Sequence, residues 1–279
     1  MKSGRKCGVF FSKLRERGER MTDAELLRGP HVKELRRLAG EAIGRFGLIS
    51  EGDRILVGLS GGKDSFILLH LLHHFRAAAP IKFQVVAGTF DPGYPEFNAE
   101  AIAAYCRERN WEHRTVRLPM EELLATRHLE SSPCGLCSRL RRGKLYGLAC
   151  ELGCNKLALG QHLDDLIASF FMSVCRGQGI RTMAVSARPE KPEHPTIIRP
   201  LALIPEKLLK ETAAHNDFPA AGTCRYEKEL ASGDRAYFRA LTDVISEKVP
   251  DFRSNFLNSL SRPLPENLLA MPERPDPEK

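Results

Sequence analysis

The stretch "LVGLSGGKDSF" (residues 56–66) joins two apolar runs through a pair of glycines, and its reading decides the fold. Before it, "RILVGLS" (54–60) is a continuous apolar run of strand length. After it, "SFILLHLLHHF" (65–75) reads as a helix, so the order is strand, glycine loop, helix. This is not a Walker A loop. That motif is G-x-x-x-x-G-K-[ST], whereas here Val57 stands where its first glycine belongs and Asp64, not a hydroxyl residue, follows Lys63.

The flanking sequence repeats the pattern. "VKELRRLAGEAIGRFGLI" (32–49) carries Val32, Leu35, Leu38, Ala42, Ile43 and Phe46 at helical spacing and leads into the first strand. "FQVVAGTFD" and "EHRTVRL" read as strands separated by the helix "AEAIAAYCRERN". "GKLYGLACELGC" is a further helix, "NKLALG" a strand, "LDDLIASFFMSVC" a helix, "TIIRPLALI" a last strand and "PEKLLKETAAHN" the start of a helical portion. Alternating β and α units of this length predict an α/β fold built on a doubly wound parallel sheet.

In such a sheet the ligand lies at the carboxyl ends of the strands, where a loop meets a helix N-terminus. Ser60, Gly61 and Gly62 occupy that position. Two glycines let the backbone approach an anion closely, and the unpaired N–H groups of the next helix supply a positive end. Lys63 adds charge, and the Ser60 and Ser65 hydroxyls are donors to phosphate oxygens. Asp64 either works with a metal at the phosphates or caps the helix in a tight βα turn. A second acidic element, "ALGQHLDDLIASFF", sets Gly160, His162, Asp164 and Asp165 between a strand and a helix at the same sheet edge. Adjacent carboxylates there either bind the Mg²⁺ that accompanies ATP, with Asp164 the candidate ligand, or cap the helix. His162 contacts phosphate or substrate, or is a structural histidine.

The 279 residues include eight cysteines, and the formal net charge is +7. No apolar run approaches the ~20 residues needed to cross a bilayer, and the basic start has too short an apolar stretch for a signal peptide. A cytoplasmic protein is expected, its basic excess compatible with a polyanion such as RNA. Cys134 and Cys137 form a C-x-x-C in a loop before a helix: a redox pair, half of a zinc site, or ligands of an iron–sulfur cluster. Cys224 is a third, downstream candidate. Cys7, Cys106, Cys150, Cys154 and Cys175 are read as small buried hydrophobes. Beside the pair, Arg139, Arg141, Arg142 and Lys144 are a solvated helix face or contacts for RNA phosphates. His70, His73 and His74 are expected on a helix surface.

"LSGGKDS" resembles the pyrophosphate loop of the N-type ATP pyrophosphatases. Together with "PCGLCSRLRRGKLY", "KLALGQHLDD" and "IIRPLALIPE", in this order over residues 32 to 260, the chain resembles the tRNA 2-thiocytidine synthetases of the PP-loop superfamily. The resemblance implies replacement of the C2 oxygen of an anticodon-loop cytidine by sulfur, with ATP, Mg²⁺ and a 4Fe–4S cluster as cofactors. It maps the phosphate loop onto Ser60–Ser65 and the cluster ligands onto Cys134, Cys137 and Cys224, with Asp64 and these thiols catalytic. Gln161 and Leu163 stand where the family tends to have His and Arg. The implied organisation is a basic segment (1–34), a PP-loop ATP pyrophosphatase domain (35–205), a helical portion carrying Cys224 (206–262) and a Pro-rich tail (263–279). The expected partners are tRNA, an upstream sulfur donor such as a cysteine desulfurase and a second copy of the chain in a homodimer, with no membrane.

Overall fold

The computed structural model describes residues 26–125, 133–189, 191–222, 233–262 and 264. Six strands form one sheet in the order β3-β2-β1-β4-β6-β5. They are β1 (Arg54–Leu59), β2 (Gln84–Asp91), β3 (His113–Arg117), β4 (Lys156–Ala158), β5 (Ser186–Ala187) and β6 (Thr196–Ile198). All neighbours run parallel except β5, which lies antiparallel to β6. The helices are α1 (Val32–Phe46), α2 (Lys63–Ala78), α3 (Ala99–Glu108), α4 (Met120–Ala125), α5 (Pro133–Glu151), α6 (Leu163–Cys175), α7 (Glu206–Ala213), α8 (Asp234–Lys248) and α9 (Phe252–Leu260). Among the described residues no helix is long and apolar enough to cross a membrane.

Strand alternation splits β1 between two cores. Ile55, Val57 and Leu59 join residues of α1, α2, α3 and α7 on one face. Leu56 joins Val86, Leu157 and the α5 residues Leu145, Leu148 and Ala149 on the other. α1 follows its apolar stripe and ends at Gly47, whose φ of 57° is the left-handed cap that glycine adopts freely. α7 brings Leu209 into the first core, while α6 packs against α8 and α9 through Leu163, Ile167, Phe170, Phe171 and Phe256.

Several expectations need correction. α2 is apolar nearly all round, and such a helix is buried on every side. His70 and His73 are therefore interior, each 3% exposed, instead of on the surface. His73 stacks on Trp111 at 4.2 Å, and the His70 Nε2 lies 2.6 Å from the Tyr105 hydroxyl. The C-x-x-C is not in a loop: Pro133 opens α5, so Cys134 and Cys137 lie in its first turns. Cys106 and Cys154 are buried as expected, but Cys150 and Cys175 are exposed. The last long strand is only three residues, because Pro200 has no N–H for a ladder. The segments 1–25 with Cys7, 223–232 with Cys224, and nearly all of the tail lie outside the described residues.

Candidate active site

β1 is flanked by β2 on one side and β4 on the other. The loops that leave β1 and β4 therefore meet at the point where the chain turns in opposite directions, the usual ligand crevice of a doubly wound sheet. A cavity of about 350 Å³ opens there. Its wall includes Ser60, Gly62, Asp64 and Ser65 from the first loop, Gly160 and Gln161 from the second, and Cys137, Ser138, Arg141 and Arg142 from α5. Phe90 near the end of β2, with Tyr94 and Phe97 after it, forms an aromatic side, and Arg235 at the start of α8 contributes a further cation.

The glycine loop is braced from within. Ser65 Oγ donates to the Gly62 carbonyl at 2.8 Å, and the Gly62 N–H donates to Ser60 Oγ at 3.3 Å. Gly62 is the N-cap of α2 and provides no side-chain cap, so the helix meets the cavity with a bare positive end. Gly61 lies at φ 83° and faces away from the cavity, against Ala221. Gly160 is glycine for a packing reason. A Cβ there would lie 3.2 Å from the Asp64 carbonyl carbon and from the Ser65 nitrogen, so its absence lets the two loops close on each other.

Lys63 does not line the cavity. Its ammonium lies 3.0 Å from Asp64 and 3.6 Å from Glu206. The second acidic element is also spoken for. The Asp164 carboxylate, 3% exposed, accepts from the Glu206 N–H at 2.7 Å and from Arg253 Nε at 2.7 Å. Burial alone would raise its pKa. His162, the Glu206 N–H and Arg253 outweigh that and hold the carboxyl far below the usual carboxylate range. Asp165 accepts from the His162 N–H at 3.1 Å, closing the first turn of α6, and pairs with Arg239. Asp165 thus caps its own helix, and both carboxylates are paired with arginines. Neither they nor His162 line the cavity, and no group of three metal-ligating side chains occurs among the described residues.

On the opposite wall Cys137 Sγ lies 4.0 Å from an Arg141 nitrogen, and the Arg141 guanidinium sits 5.9 Å from the centre of the Phe90 ring. Arg139 and Lys144 are exposed on α5 but away from the cavity. Sequence reasoning missed the aromatic side, Ser138, Arg235 and Arg199. The aromatic residues had a visible signal, since "FDPGYPEF" (90–97) closes β2 and continues into the loop at the ligand edge. Arg199 stands within "IIRPLALIPE", but nothing local marks its contact: it is 7% exposed and meets Gln161, 38 residues away.

The PP-loop domain family matches residues 32–240. The tRNA-cytidine(32) 2-sulfurtransferase of Syntrophotalea carbinolica is 36% identical over 238 residues, 85% of this chain and 92% of that one. The chain belongs to the PP-loop family. The protein of the same description from Geobacter sulfurreducens is also 36% identical, over 88% of this PP-loop chain and 96% of its own. Among solved structures, the U34-tRNA thiolase of Methanococcus maripaludis with its 4Fe–4S cluster shares the fold, with a TM-score of 0.66 over 87% of this chain and 81% of that one at 23% identity. Of the glycine loop, Ser60, Gly62, Asp64 and Ser65 line the cavity.

Proposed function

We propose that this protein is an ATP-dependent tRNA sulfurtransferase that converts cytidine 32 of the anticodon loop to 2-thiocytidine. The observation that carries the reading is one cavity holding both the PP-loop and Cys137, rimmed by Arg141, Arg142 and Arg235. Its curated relatives carry that activity in their names.

A pyrimidine C2 oxygen is a very poor leaving group. Its attack on the α-phosphorus of ATP expels pyrophosphate and leaves the oxygen as part of an AMP ester. Addition of sulfide-level sulfur (HS⁻) at C2 then breaks the C2–O bond and expels AMP, which carries the original oxygen away, while the sulfur gives up its proton. The bare N-terminus of α2, with the Ser60 and Ser65 hydroxyls, fits the departing pyrophosphate. Asp64 is the cavity carboxylate suited to the cation that accompanies ATP. The exposed arginines suit the backbone phosphates of an RNA loop, and the Phe90 and Tyr94 side suits the face of an extruded base. Cys137 is a thiol on the cavity wall with a guanidinium beside it, a donor fit for a cluster that Cys134 and Cys224 would complete. When bound, that cluster supplies an iron able to carry sulfur. A cysteine desulfurase, whose persulfide sulfur a two-electron thiol reductant would bring to the sulfide level, is the expected upstream source, and a homodimer the expected assembly.

Nucleoside analysis of tRNA from a deletion strain tests the reading. 2-Thiocytidine should vanish, return with the wild-type gene, and stay absent with Asp64→Ala expressed at the wild-type level. Unchanged 2-thiocytidine in the deletion strain would overturn it.

A further inference from the structure

Arg199 is a buried guanidinium with an unusual partner. No carboxylate forms an ion pair with it among the described residues; it donates instead to the Ala184 carbonyl and, from Nε at 2.8 Å, to Gln161 Oε1. Burial holds the Arg199 pKa below its usual value although Asp165 acts on it from beyond contact; a buried cation with no carboxylate in contact is costly, so the arrangement calls for a use. Arginine has donors and no acceptor, which forces the Gln161 oxygen to face it and forbids the amide from flipping. The Gln161 NH₂ group is left to be directed elsewhere, and Gln161 lines the cavity. Its neighbour Gly160 presses on the first turn of α2, so this donor sits beside the phosphate cradle.

We propose that Gln161 is a substrate-binding residue whose amide, held by Arg199, donates to an acceptor oxygen at the reaction centre. That oxygen belongs to the nucleotide phosphoryl group or to the C2 position of the base. Arg199 is the positioning residue. The role rests on the proposed thiolation in the same cavity.

Two variants separate the donor from the fold. Gln161→Glu keeps the size and gives Arg199 an anionic partner; Gln161→Ala is neutral. Each is compared with wild type in thermal unfolding, in calorimetric binding of the ATP analogue AMPCPP without RNA, and in pyrophosphate release with unmodified tRNA. Gln161→Glu should keep the wild-type Tm within a few degrees and Gln161→Ala should lower it as Arg199 loses an acceptor, while in both kcat/KM of the folded protein falls about 10- to 100-fold, the scale of one hydrogen bond to a charged oxygen. A matching loss of AMPCPP affinity assigns the bond to the phosphoryl group. Unchanged AMPCPP binding with a loss confined to kcat on tRNA assigns it to the base. Arg199→Met combined with Gln161→Ala should lose no more activity than Gln161→Ala alone. Folded variants whose kcat/KM and AMPCPP Kd stay within twofold of wild type overturn the proposal. Should wild type release no pyrophosphate with tRNA, the thiolation reading fails by itself, and unchanged AMPCPP binding in both variants would then overturn the Gln161 role too.

Discussion

Gly61→Ala probes whether the PP-loop is wedged in place from behind. The added Cβ would lie 2.4 Å from the Ala221 Cβ, where carbon atoms normally stand ~3.5 Å or more apart. Ala221 has little room to retreat. It is 3% exposed, its carbonyl accepts from the Asn98 N–H at 2.9 Å, and a Cβ on the adjacent Gly222 would be 1.6 Å from the Glu96 oxygen. The overlap should cost about 1–3 kcal/mol, and the φ of 83° at Gly61 about 1–2 kcal/mol more. Removing the other methyl isolates the first part. In Gly61→Ala with Ala221→Gly, the nearest remaining atoms are Ile102 Cδ1 at 3.6 Å and the residue 221 Cα at 3.8 Å, both ordinary contacts. Urea unfolding of wild type, the two single variants and the double variant should therefore show a favourable coupling of at least ~1 kcal/mol, while the backbone part persists. Zero coupling, or a Gly61→Ala protein as stable as wild type, would refute the wedge. AMPCPP binding in the same set should follow the stability, because the strained loop is the one proposed to hold the phosphates.

Arg253→Met leaves the buried Asp164 carboxylate with the Glu206 N–H and no guanidinium; unfolding should show a loss of about 3 kcal/mol, partly returned by adding Asp164→Asn. His73 has its pKa pushed down to about 3 by burial, with smaller contributions from Arg76 and His70. Below the ordinary histidine pKa the unfolded chain takes up a proton that the folded one refuses, so stability falls as pH drops from about 6.5 toward 3. This amounts to about 2 kcal/mol by pH 5 from this residue. His113 and His74, lowered to about 4, act in the same direction. Unfolding of His73→Phe at pH 7.5 and 5 should show a shallower fall than wild type, and parallel curves would contradict the assignment. Cys137→Ala should lower the iron retained after anaerobic reconstitution, whereas Cys150→Ala should match wild type, since Cys150 is exposed and donates to the Glu193 carbonyl.

The sheet and its loop were readable because buried parallel strands are written as unbroken apolar runs, and a glycine pair between such a run and a helix has few other uses. Some misreadings had a signal that went unused. A helix apolar on all sides admits no surface face, which already placed His70 and His73 inside. Proline is favoured as the first residue of a helix, so Pro133 marked the C-x-x-C as the opening of α5. β5, two residues long, has too little pattern to be seen.

What no local pattern carries is which carboxylate remains available. Asp64, Asp164 and Asp165 all stand at βα junctions and read alike. Their roles are divided by arginines far along the chain: Arg253 and Arg239 reach back from α9 and α8 to neutralise Asp164 and Asp165. Asp64, paired with Lys63, keeps its place in the cavity wall. With Arg141, Arg142 and Arg235 also on that wall, one carboxylate and three guanidinium groups line the crevice among the described residues, an excess of positive charge. Arginines at Asp164 and Asp165 remove negative charge that would otherwise oppose a triphosphate and an RNA strand in one small space. The C-terminal helices therefore contribute to the charge of the site twice, through Arg235 on its wall and through Arg239 and Arg253 at the two carboxylates.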